Sequence, residues 1–143
     1  DALKILITGG TGFIGSHLTR FLKNKHEITI YDVKKPIDED VEFILGDITD
    51  DQKILQSFQD FDIIIHLAAA VGVGITETDP IWTLNTNILG TKNILDSYQY
   101  AIANKYRFYS YVWSDRSITT DVLPTSKDAP EKNRQYWRAY TRW

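Results

Sequence analysis

The segment Thr8-Gly9-Gly10-Thr11-Gly12-Phe13-Ile14-Gly15 constrains this chain more than any other stretch. It follows a short apolar run, Leu3 to Ile7, that reads as a buried parallel strand. It leads into Ile14, Leu18, Phe21 and Leu22, which recur at helical spacing with Arg20, Lys23 and Lys25 on the other side. A glycine-rich turn between a strand and a helix has a specific physical use. Gly9 permits the tight turn, Gly12 lets a pyrophosphate approach the backbone, and Gly15 lets the helix pack closely on the sheet. Unpaired N–H groups and a partial positive charge at the helix N-terminus then suit phosphates. Asp32 closes the second strand-like run, about 20 residues beyond Gly12. Taken alone it reads as a solvated turn aspartate. Paired with the glycine turn, its carboxylate can accept hydrogen bonds from a ribose diol and repel a 2′-phosphate. That favours NAD over NADP, a preference tempered by Lys34 and Lys35 close by.

Further strands are read at Ile28 to Tyr31, Val41 to Leu45, Ile63 to Ile65 ending at His66, and Arg107 to Val112. Asp50 can cap a short helix running to about Phe58. Asp79-Pro80 opens a long helix to about Asn104, with Leu84, Ile88, Leu95, Tyr98 and Ile102 as its apolar stripe. Residues 33–40 form a polar loop, and Gly72 and Gly74 fall in a loop after the fourth strand. The alternation argues for an α/β fold: a Rossmann-type doubly wound parallel sheet, partial or truncated, covered by helices on both faces. The expected strand order is 3-2-1-4-5, with the glycine turn at the carboxyl end of the central strand. Residues 1–114 read as the dinucleotide-binding domain and 115–143 as an irregular segment.

Composition narrows the function classes. At 43% hydrophobic and 24% charged residues the chain can bury a core. A net charge of -3 and the lack of a polybasic run give no surface for nucleic acid or anionic membrane. No window approaches the ~20 apolar residues of a membrane helix, and the N-terminus shows no signal-peptide pattern. With no cysteine, disulfides and thiolate metal sites are excluded. No metal site is expected, and a reducing, cytoplasmic location fits.

Five separate segments agree on one resemblance: Lys4 to Leu18, Tyr31-Asp32, Gly46-Asp47-Ile48, His66-Leu67-Ala68-Ala69, and Asn87-Ile88-Leu89-Gly90-Thr91. As a set, spanning roughly residues 3–112, they resemble the N-terminal half of an extended short-chain dehydrogenase/reductase. This is the NAD-dependent epimerase/dehydratase family, which acts on nucleotide sugars. The resemblance implies NAD as cofactor and a nucleotide sugar as substrate. It puts Gly9, Thr11, Gly12, Phe13, Ile14 and Gly15 at the pyrophosphate, and Asp32 at the ribose. Asp47 and Ile48 would border the adenine. Leu67, Ala68 and Ala69 would line the ribose and nicotinamide side. Asn87 would sit near an active-site water chain, with a solvated helix asparagine as an equal reading. His66 reads as a satisfied structural histidine before it reads as a base. A homodimer through the helix 80–104 is a further expectation.

The family's chemistry uses a tyrosine, a lysine four residues later, and a serine or threonine at the end of the fifth strand. Ser110 is the nearest candidate for the hydroxyl residue. The only Tyr-x-x-x-Lys in the chain, Tyr31 to Lys35, lies at the cofactor acid instead. Tyr136 can take the tyrosine position, which puts Tyr140 at the lysine. Alternatively Arg138 and Arg142 occupy the two positions. Neither register supplies both partners, and an arginine is no simple replacement for a lysine. Two readings therefore stand. One is the cofactor-binding part of a nucleotide-sugar epimerase or dehydratase. The other is a non-catalytic dinucleotide-binding module.

Overall fold

A computed structural model describes residues 1–38, 40–71, 73–102 and 107–110. Five strands, β1 (Lys4–Thr8), β2 (Glu27–Asp32), β3 (Glu42–Leu45), β4 (Ile63–His66) and β5 (Arg107–Ser110), form one sheet in the order β3-β2-β1-β4-β5. Every pairing is parallel. The expected order and the central place of the first strand are both found. The register aligns Thr8 with Tyr31 on one side and His66 on the other, and His66 in turn with Ser110. The carboxyl ends of the strands thus share one edge, where ligands of doubly wound sheets bind.

The strands read as nearly unbroken apolar runs because both faces are covered. On one face Leu6, Tyr31, Ile48, Ile54, Phe58, Ile64 and Ile94 form a buried cluster. On the other, Ile5, Ile7, Ile28 and Ile30 pack with Leu18 and Leu22 of α1 (Phe13–Leu22). Tyr31 meets Phe58 edge-on, with ring centroids 5.1 Å apart, and its hydroxyl donates to the Asp47 carbonyl at 2.8 Å. Burial, assisted by the nearby Asp50 and Asp47 carboxylates, pushes the Tyr31 phenol up to about 12. Phe21, expected on the buried stripe of α1, is 76% exposed. Gly15 and Thr19 take the innermost positions, and at Gly15 the helix lies too close to the backbone of the Gly9–Gly10 turn for any side chain.

Asp50 caps α2 (Asp51–Ser57) by accepting from the Lys53 amide at 3.0 Å. The segment after β4 differs from expectation. It contains a short helix, α3 (Val73–Thr78), that includes Gly74; Gly72 lies outside the described residues. The sequence hides α3 because glycine and β-branched residues are poor helix formers. The Asp79-Pro80 start is as expected, with the Asp79 carboxylate accepting from the Trp82 amide. From there α4 (Pro80–Leu84), a π-helical turn (Asn85–Leu89) and α5 (Gly90–Ile102) run on without a break. Of the expected apolar stripe, the side chains of Tyr98 and Ile102 lie outside the described residues, and the other three do not lie on the buried face. Leu84, Ile88 and Leu95 are exposed, whereas Thr83, Thr86, Asn93, Ile94 and Ser97 are buried. The mostly polar face is accommodated inside by hydrogen bonds to backbone: Asn93 donates across to the Ile48 carbonyl at 3.0 Å, and Ser97 satisfies its hydroxyl within the helix on the Ile94 carbonyl at 2.7 Å. Among the described residues no helix is long and apolar enough to cross a membrane.

Candidate functional site

The glycine turn leaves β1 with Gly9 in the left-handed region at φ +69, its amide bonded to the Tyr31 carbonyl at 3.0 Å. Only glycine adopts that conformation without strain. A Cβ on Gly9 would also stand 2.7 Å from the Ala68 amide nitrogen, so the turn lies directly on the backbone that follows β4. At Gly15 a Cβ would come within 2.2 Å of the Gly9 carbonyl oxygen, and at Gly10 within 2.7 Å of the Ile30 side chain. Gly12 differs, because a Cβ there would meet only the Gly9 oxygen, at 3.3 Å, and otherwise open space. It is the N-cap of α1 and contributes no capping side chain. The first N–H groups of the helix therefore lack the usual side-chain acceptor. An uncapped helix N-terminus beside a bare Cα is what an anion requires.

Asp32 ends β2 beside this turn. Its Oδ2 accepts from the Thr11 amide at 3.1 Å and from the Thr11 hydroxyl at 2.8 Å, and its Oδ1 accepts from the Lys34 amide at 3.1 Å. A carboxylate has about four acceptor positions. Three are engaged, and rotation of the Thr11 hydroxyl releases another. The residue both fixes the glycine turn and keeps capacity for a diol. Asp47 is exposed and bonds the Thr49 amide and hydroxyl, each at 2.9 Å. The Ile48 side chain is 5% exposed and faces the core, so only its backbone is left to face a ligand.

Across the sheet edge, His66 is buried between two threonines. Nδ1 lies 2.7 Å from the Thr8 hydroxyl and Nε2 lies 3.1 Å from the Thr91 hydroxyl. The Thr8 oxygen accepts the Leu67 amide at 3.1 Å and the Ala68 amide at 3.2 Å. The Leu67 amide is shared with the Thr8 carbonyl at 3.1 Å; with both amides directed at its lone pairs, the hydroxyl gives its hydrogen to Nδ1. The imidazole is then neutral, with its proton on Nε2 and directed at Thr91. Burial lowers its pKa to about 4. The structure agrees with the reading of His66 as a satisfied structural residue.

Asn87 is not a solvated helix asparagine. Its Oδ1 accepts the Ala70 amide at 2.7 Å and its Nδ2 donates to the Ala70 carbonyl at 2.9 Å. It projects from the π-helical turn, closed by the Gly90 amide donating to the Asn85 carbonyl five residues back. Such turns often mark functional sites. Gly90 admits the Ile48 side chain: a Cβ there would be 2.5 Å from its Cδ1. The three polar or small positions of Asn87-Ile88-Leu89-Gly90-Thr91 thus each hold a different loop or strand end. The roles of Thr8, Gly90, Thr91 and Asn93 escaped sequence reasoning. The signal for Thr8, Gly90 and Thr91 was that they flank residues already singled out. Leu67, Ala68 and Ala69 are half-buried along the same edge. Ser110 ends β5, in register with His66. Tyr136 lies outside the described residues.

A parallel sheet with an uncapped glycine turn at the end of its central strand, and an acid at the end of the next, defines the dinucleotide-binding α/β class. Comparison with known proteins narrows the class. The model of the NAD dependent epimerase/dehydratase family matches residues 5–116, and the chain belongs to that family. NAD is the cofactor this membership assigns. The chain is 37% identical to the UDP-glucose 4-epimerase of Rickettsia bellii, over 90% of this chain and 41% of that protein. It is 36% identical to the UDP-N-acetyl-alpha-D-glucosaminuronate decarboxylase of Bacillus cytotoxicus, over 66% of this chain and 32% of that one. The UDP-glucose 4-epimerase of Thermus thermophilus, solved in complex with NAD, superposes with a TM-score of 0.62 at 30% identity. That match covers 70% of this chain and 35% of the other. The chain spans about a third to two fifths of the length of the curated relatives it matches.

Proposed function

We propose that residues 1–114 form the NAD-binding domain of a nucleotide-sugar epimerase or dehydratase. The observation that carries this is the uncapped N-terminus of α1, with open space beside Gly12 and the Asp32 carboxylate next to it. The amides of Phe13, Ile14 and Gly15 are placed for the pyrophosphate, and Asp32 for the adenosine ribose. Asp47 and the Ile48 backbone take the adenine side. Leu67, Ala68 and Ala69 take the nicotinamide side, and Asn87 holds the loop there by its grip on Ala70. Bound NAD supplies a reversible hydride acceptor. Ser110 and Tyr136 are the residues of this chain assigned to the proton transfer, by the resemblance alone. The names of the relatives support a UDP-sugar as substrate. The exposed apolar side chains Leu84, Ile88 and Leu95 support a homodimer through the helix 80–104. The lack of cysteine supports a cytoplasmic location.

Calorimetry with NAD tests the binding reading, and failure to bind would overturn it. Incubation of the chain with NAD and a panel of UDP-, dTDP- and GDP-sugars, followed by chromatography, tests catalysis. Because no lysine stands four residues beyond Tyr136, the 143-residue chain is expected to bind NAD without turnover. Turnover lost in Tyr136→Phe would eliminate the non-catalytic reading.

A further inference from the structure

His66 does more than fill space under the sheet edge. The next two residues, Leu67 and Ala68, both donate to the Thr8 hydroxyl on β1; the Leu67 amide is shared with the Thr8 carbonyl at 3.1 Å, whereas the Ala68 amide goes to the hydroxyl. That hydroxyl can accept both only while its own hydrogen points elsewhere, and Nδ1 of His66 is where it points. Remove the acceptor, and the hydrogen is free to turn toward the Ala68 amide and displace it, while Leu67 keeps its bond to the Thr8 carbonyl. The backbone so held touches the glycine turn, with Gly9 seated on the Leu67 carbonyl carbon and the Ala68 amide. A shift there reaches the phosphate side of the groove as well as the nicotinamide side.

We propose that His66 is a positioning residue for the cofactor groove. Through an unprotonated Nδ1 it fixes the Thr8 hydroxyl as the acceptor that sets the Leu67–Ala68 backbone against the Gly9 turn. The proposal rests on the NAD-binding reading for its consequence, and on the hydrogen-bond geometry for its substance. Two amide substitutions separate the histidine's two contacts. The Oδ1 of an asparagine falls where Nδ1 lies and accepts from Thr8. The terminal amide of a glutamine falls near Nε2 and reaches Thr91 instead.

The test uses the full chain as wild type, His66→Asn, His66→Gln, Thr8→Ser and Thr8→Val. Hydrogen exchange at the Leu67 and Ala68 amides is read by NMR, and NAD affinity by calorimetry. His66→Asn and Thr8→Ser should keep both amides protected and bind NAD close to wild type. His66→Gln and Thr8→Val should lose protection at the Ala68 amide, with Leu67 still held by the Thr8 carbonyl, and bind NAD roughly tenfold more weakly, the effect of one lost hydrogen bond in a buried network. Equal behaviour of the asparagine and glutamine variants would overturn the proposal, as would full protection of the Ala68 amide in Thr8→Val. If either His66 variant fails to fold, the Thr8 pair decides by the same measurements. If the wild-type chain does not bind NAD, the binding reading falls, and amide protection alone decides the positioning role.

Discussion

The carboxamide of Asn87 closes on the peptide groups of Ala70 from both sides, taking its N–H at 2.7 Å and giving a hydrogen to its C=O at 2.9 Å. A side chain thereby does for the loop after β4 what a neighbouring strand does within the sheet. Ala70 is 6% exposed, so its backbone has little access to water as a substitute partner. Asn87→Leu should therefore destabilise the chain by about 1–3 kcal/mol. Asn87→Asp should also destabilise it, because a carboxylate can replace the acceptor but sets oxygen against the Ala70 carbonyl. Urea denaturation measures both. A midpoint unchanged in the leucine variant would show that the clamp contributes nothing.

Gly12 and Gly15 separate binding from folding. A methyl on Gly15 would stand 2.2 Å from backbone, so Gly15→Ala should lower the melting temperature markedly. A methyl on Gly12 meets a single atom at 3.3 Å, so Gly12→Ala should melt near wild type yet bind NAD weakly. Thermal melts with and without NAD distinguish the two. An undiminished NAD-induced shift in Gly12→Ala would contradict the placement of the pyrophosphate.

Asp32→Ala removes an acceptor for a ribose diol and should weaken NAD binding by roughly 1–3 kcal/mol. It also releases Thr11, so Thr11→Val is needed to separate the turn from the ligand contact. Wild-type protein that bound NADP more tightly than NAD would refute the assignment.

Thr19 carries a buried hydroxyl without a hydrogen-bond partner, on the face of α1 that meets the sheet. Valine has the same shape without the polar group. Thr19→Val should stabilise the chain by about 1 kcal/mol, visible as a higher urea midpoint at unchanged slope. A lower midpoint would mean that the hydroxyl does have a partner in solution.

His66 sets a pH dependence of stability. Its folded pKa, about 4, lies below the ordinary 6.5, so the unfolded chain binds the extra proton first as pH falls. The stabilisation is fully present above about 6.5 and is lost as pH drops toward 4. The difference amounts to something on the order of 3 kcal/mol. His66→Asn should flatten the stability profile across that window. An equally steep decline in the variant would assign the effect to other groups.

What could be read from the sequence was what backbone geometry dictates locally. The strands are unbroken apolar runs. Gly9 and Gly15 have no substitute at their positions, and Asp50 and Asp79 cap the helices they precede. The order of the strands followed from the alternation. The inner face of the long helix was not legible, because hydrophobic spacing points to Leu84, Ile88 and Leu95. Burial there is decided by hydrogen bonds from Asn87 and Asn93 to carbonyls far away in sequence. The link among Thr8, His66 and Thr91 was equally invisible, since it joins three elements through side chains whose types alone suggest no pairing. Phe21 misled for the opposite reason. Its spacing suits burial, but Gly15, Leu18, Thr19 and Leu22 take the inward side of α1 and leave Phe21 outside.

The π-helical turn also governs what the outside of that helix can meet. One wider turn at Asn85–Leu89 acts as a phase slip, like a dislocation in a screw thread. Side chains before it, such as Ile81 and Leu84, do not continue in line with Leu95 after it. A partner helix that repeats every seven residues keeps a constant seam and falls out of step across such a slip. The exposed apolar side chains of this helix therefore do not form one straight seam but two shorter ones, offset where the wide turn falls.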